Sequence, residues 1–107
     1  MKDYISVFCT VPDEASAEKI SESLVGKGLA ACVNIIPGLN SIYKWNNEIC
    51  RNSELLLMMK SRAEIFNNLK EEILKLHPYQ VPEIVSIEIT DGHIPYLSWI
   101  DENTKKL

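Results

Sequence analysis

Asn46-Asn47 lies between two long apolar-rich segments, and this arrangement constrains the fold more than any other feature of the 107-residue chain. Asparagine tolerates the positive φ that tight hairpin turns demand. Ala31 to Trp45 reads as a long strand, bent or bulged at Pro37-Gly38. Ile49 to Lys60 reads as its antiparallel return. Within that return, Leu55-Leu56-Leu57-Met58-Met59 is a continuous apolar run that suits a strand covered on both faces.

A strand and a helix stand on either side of this hairpin. Tyr4 to Val11 alternates, with Ile5, Val7, Cys9 and Val11 on one side. Asp13 is placed to cap a helix carrying Ala17, Ile20, Leu24 and Val25, which stops at Gly26 and Gly28. Ser61 and Glu64 have capping-box spacing for a second helix. Its stripe is Phe66, Leu69, Ile73 and Leu76, and Pro78 ends it at about His77. Ile84 to Thr90 alternates as a last strand, with Val85, Ile87 and Ile89 predicted to point inward. Asp91-Gly92 turns, and Pro95 opens a short final helix with Tyr96, Trp99 and Ile100 on one face.

The order strand, helix, strand, strand, helix, strand predicts an α+β ferredoxin-like sandwich, a single domain over residues 1–107. Two helices would cover one face of an antiparallel sheet of order 4-1-3-2, with a long central hairpin and a short C-terminal helix. The hairpin is too long for so small a sheet. An uncovered strand of that length and apolarity would aggregate, so a second copy of the chain is expected to cover it in a closed oligomer.

A net charge of −4, a pI near 5.1 and the lack of any basic cluster argue against nucleic acid or an anionic membrane as partner. No run approaches the ~18 apolar residues of a membrane span. The charged start, Lys2-Asp3, is unlike a signal peptide, and a cytoplasmic protein is expected. Cys9, Cys32 and Cys50 form no compact metal-binding spacing and read as reduced thiols.

Topology gathers the chemistry. The segment His77-Pro78-Tyr79-Gln80-Val81-Pro82-Glu83 joins the second helix to the last strand, stiffened by two prolines. The antiparallel order brings it to the edge of the sheet where the first strand ends. Cys9, His77 and Glu83 therefore converge, whereas Cys32 falls at the opposite edge. Thiolate, imidazole and carboxylate together suit copper or zinc better than magnesium or calcium. The plainer readings are Cys9 as a small buried hydrophobe, His77 favoured by the helix dipole, and Glu83 accepting backbone bonds in the turn.

The segment from Leu76 to Ile84 closely resembles the signature of the CutA divalent-cation tolerance family. Thr10 to Glu14, Leu29 to Gly38, Ser41 to Trp45 and Tyr96 to Trp99 agree with it in order and spacing. The resemblance implies a ferredoxin-like fold in a tight homotrimer, with hairpins pairing between subunits, a role in the response to divalent metal ions, and copper binding. Of the copper-associated positions in the bacterial form, Cys9 and His77 match, while Leu76 stands where that form has a neighbouring histidine. The leading expectation is a trimeric copper-binding protein using Cys9, His77 and Glu83, with other divalent transition metals as alternatives. The runner-up is a regulatory or scaffold trimer, similar in fold to the PII signalling proteins. It would take a small metabolite or partner protein in inter-subunit clefts lined by Tyr43, Trp45 and Tyr79. An enzyme is not expected, since no Ser–His–Asp pattern, metal-hydrolase spacing or glycine-rich phosphate loop occurs.

Overall fold

The alternating N-terminal segment forms β1 (Tyr4–Val11), and the capped segment after it forms α1 (Glu14–Gly26). The computed structural model describes residues 3–106. Asp13 accepts a hydrogen bond from the Ser16 N–H at 2.8 Å, capping α1 as its sequence position predicts. Ala17, Ile20 and Leu24 are buried, but Val25 is exposed because it lies one position beyond the stripe. The central hairpin is β2 (Cys32–Trp45) and β3 (Glu48–Arg62), turned by Asn46 and Asn47 with φ of 52° and 65°. Its register shifts between Ile36 and Leu39, where Gly38 has φ of 83°, so Pro37-Gly38 is a bulge. After β3 come α2 (Phe66–Leu76), β4 (Val85–Ile89) and α3 (Ile94–Glu102).

The sheet order β2-β3-β1-β4 is the predicted 4-1-3-2 seen from the other edge, with all three pairings antiparallel. Val7, Cys9, Val11, Leu57 and Met59 meet Ile20, Leu24, Leu69 and Ile73 in one core between the sheet and the helices. β1 ends at the pair Val11–Leu55, but β3 continues. The pairs from Leu39–Glu54 to Trp45–Glu48 therefore form an arm beyond β1, about 23 Å long at strand spacing. The arm is the main reason the molecule extends to 44 Å along its longest axis.

Two local expectations are corrected. Ser61 does not cap the second helix: it remains in β3, paired with Ile5, and its hydroxyl donates to the Leu29 carbonyl at 2.7 Å. The helix is entered instead through a single 3₁₀ turn, Ala63–Ile65, without a side-chain cap, and fully buried Ile65 anchors that turn. Val85, Ile87 and Ile89 do not point into the core. They lie opposite Phe8, Ser6 and Tyr4 on the sheet face away from α1 and α2, where Val85 and Ile87 are exposed and Ile89 is half-buried. Alternation fixes which residues share a face, but the register with β1 decides which face it is.

The C-terminal segment is held by Arg62, only 1% exposed, whose Nε donates to Thr104 Oγ1 at 2.8 Å and whose guanidinium also reaches the Lys105 carbonyl. Glu72, on α2, ties the two long helices together. It accepts hydrogen bonds from Lys27 at 2.8 Å and Ser23 at 2.6 Å. These partners, Lys27 foremost, hold its carboxyl below the usual carboxylate range despite an opposing contribution from burial. A depressed folded pKa stabilises the protein above the unfolded value of about 4.3, and that stability is lost as pH falls through the folded value. Thermal unfolding should therefore show wild type above Glu72→Gln at about pH 6, with the gap closing towards about pH 3.

Candidate functional site

His77 ends α2 in a way that follows from the proline after it. Its N–H still bonds to the Ile73 carbonyl at 2.8 Å, but its ψ of 135° turns the chain extended, as a residue before proline requires. The imidazole is buried and packs tilted against Tyr79, with ring centroids 4.8 Å apart. The Tyr79 N–H donates to His77 Nδ1 at 3.1 Å. Nε2 therefore carries the proton and donates to the Thr10 carbonyl at 2.8 Å. A second tie comes from the Tyr79 hydroxyl, which donates to Glu54 Oε2 at 2.6 Å. The proline-braced loop is thus fastened both to the end of β1 and to the base of the arm.

Cys9 is fully buried among the core residues of β1, with its Sγ 3.7 Å from the Thr10 carbonyl. Burial pushes its thiol up to about 12, aided by the negative charges of Glu83 and Glu54. The structure thus brings Cys9, His77 and Glu83 to one end of the sheet. As arranged there, they do not fit a soft metal ion. The thiol is protonated at neutral pH, both imidazole nitrogens are engaged, and Glu83 alone is exposed. Among the described residues, no group of three or more His, Cys, Asp or Glu side chains is arranged to hold a metal ion. Cys9, Cys32 and Cys50 are all free thiols.

Beside this loop opens a cleft of about 660 Å³, lined by Thr10, Tyr43, Trp45, Glu54, Tyr79 and Glu83 among others. Tyr43, Trp45 and Tyr79 thus share one cleft, the first two from the arm and the third from the loop. The Tyr43 hydroxyl accepts a hydrogen bond from Asn52 within the arm. Burial and then the bond to Glu54 push the Tyr79 hydroxyl far above the ordinary tyrosine range, so it stays a neutral donor. Sequence reasoning missed Glu54, since a lone glutamate in a strand reads as a solvated position. The available signal was its place directly before the apolar run and opposite the Pro37-Gly38 bulge.

The molecule is a four-stranded α+β sandwich with a projecting arm and a cleft at the arm's base. Residues 5–103 match the family described as CutA1 divalent ion tolerance protein, and the chain belongs to that family. It is 51% identical over 98 residues to the divalent-cation tolerance protein CutA of Thermus thermophilus, covering 92% of this chain and 95% of that protein. It is 40% identical to the chloroplastic protein CutA of Arabidopsis thaliana over 94% of this chain, but spans only 56% of that relative's length. The solved structure of the divalent cation tolerance protein of Thermus thermophilus superposes with a TM-score of 0.93 at 48% identity, covering 98% of this chain and all of that one. Among the described residues, no helix is long and apolar enough to cross a membrane.

The double engagement of His77 gives a direct expectation. His77→Ala should lower unfolding stability by about 1–3 kcal/mol in urea titration, because the Thr10 carbonyl and the Tyr79 N–H lose their partners. A change near zero would mean that these two bonds do not hold the loop.

Proposed function

We propose that this chain serves divalent-cation tolerance as a homotrimer in which each arm is covered by neighbouring copies. The observation that carries this reading is the free edge of β3 beyond Leu55, where, among the described residues, no strand but β2 pairs with it. Ile49 on the arm is 72% exposed and Ile42 61%, and Val85 and Ile87 expose more apolar surface on the open sheet face. Burying such surface against another copy is favourable and removes an aggregation-prone edge. The arm edge and the open face are different surfaces, so a head-to-tail contact that closes into a ring satisfies both. Sedimentation velocity should give a species near three times the 12.2 kDa chain mass. A stable monomer at micromolar concentration would sink the reading.

On this reading, the tolerance role does not run through copper held by Cys9, His77 and Glu83. Coordination there would require breaking the His77–Thr10 bond and ionising a buried thiol that burial holds at about 12. Copper titrations of wild type, Cys9→Ser and His77→Ala should accordingly give indistinguishable binding. Tight copper uptake by wild type that either substitution abolishes would restore those residues as ligands.

A further inference from the structure

The end of the sheet away from the arm is closed by the last described residues of the chain. Tyr4 and Arg62 are partners in the register there, and Tyr4 shares its sheet face with the residues opposite Val85 and Ile87. α3 is fastened to this end, because Asp101 accepts the Tyr4 hydroxyl at 2.9 Å and lies 3.6 Å from Arg62 Nε. Beyond α3 the chain runs to the turn between α1 and β2, where the Lys105 N–H donates to the Gly28 carbonyl at 2.7 Å. Gly28 has φ of 68°, and a Cβ at that position would lie 3.2 Å from the Lys105 nitrogen. Residues 103–106 therefore form a strap between α3 and this turn.

The strap is held by polar bonds rather than by the core. The buried Arg62 guanidinium is shared among Thr104 Oγ1, the Lys105 carbonyl, Glu64 and Asp101. Thr104 Oγ1 in turn donates to the Ile100 carbonyl at 2.8 Å, which ties the strap back to α3. Ile100 is the one buried residue of α3, and the main core cluster contains no residue of α3 or of the strap. A nine-residue helix does not persist alone in water, so α3 depends on these anchors. Taking one partner from Arg62 leaves a buried charge short of acceptors, which makes the bonds hold or fail together. Segments with few buried apolar contacts open at lower free energy than the core.

We propose that α3 and the strap are a single latch closed by Arg62, which opens as one unit while the sandwich beneath it stays folded. Its bonds are made within one chain and at the end opposite the arm, so the inference stands apart from the assembly proposed above. Native-state hydrogen exchange of the whole protein in rising urea tests it. The amides of residues 98–101, 103 and 105 should share one opening, populated at least about tenfold more than the opening that exposes β1, and with a weaker urea dependence. Thr104→Val removes the acceptor of Arg62 Nε and should speed exchange of the whole set about tenfold. Thr104→Ser keeps that oxygen and should stay near wild type. Lys105 exchanging independently of α3, or the whole set exchanging only together with β1, would overturn the proposal. So would a Thr104→Val effect confined to the Lys105 amide, or equal acceleration by Thr104→Ser and Thr104→Val.

Discussion

β3 runs for 15 residues and β1 for only 8, and most of what distinguishes this molecule follows from that mismatch. Where the two strands pair, the sheet has helices on one face and an ordinary core. Beyond Val11–Leu55, no strand among the described residues pairs with the hairpin on its β3 side, so it leaves the body of the domain as an arm. A single chain cannot bury that arm. The same overhang creates the cleft, because the arm forms one wall and the loop from His77 to Glu83 forms the other.

The loop is rigid for reasons that can be traced atom by atom. Proline at 78 ends the helix and sets His77 extended, and the imidazole then bridges the Tyr79 amide and the Thr10 carbonyl. Tyr79 in turn reaches Glu54. A histidine that reads from sequence as a candidate metal ligand is therefore used as a strut between elements 67 residues apart in the chain. Its neighbour Cys9 is equally committed, to the core. What remains open to solvent in this corner is acidic and aromatic rather than sulfur- and nitrogen-rich, and this moves attention from the predicted donor set to the cleft beside it.

Much of the fold was legible because its signals are local. The Asn46-Asn47 turn, the Asp13 cap and the Pro37-Gly38 bulge each rest on the conformational limits of one or two residues. The misplacements had a different origin. Ser61 fits a capping box by spacing, yet the Leu29 carbonyl and the pairing with Ile5 hold it in the strand. Val85 and Ile87 alternate as expected, but their face was set by the register with β1. Of the site, Tyr43, Trp45 and Tyr79 were expected in a cleft between subunits; within one chain they line the cleft beside the loop, together with Glu54, to which the sequence did not point.

By itself, the sequence determined the order of elements, the sheet order, the position of the turn and bulge, and the presence of a hairpin too long for its domain. Periodicity, proline, glycine and asparagine act over a few residues, so their consequences can be read along the chain. Only the tertiary structure decided which face β4 presents, that both nitrogens of His77 are engaged, and that Glu54 lies buried against the Tyr79 hydroxyl. Those outcomes depend on register and on contacts between residues far apart in sequence, where the energy of a side chain is set by what the fold places opposite it.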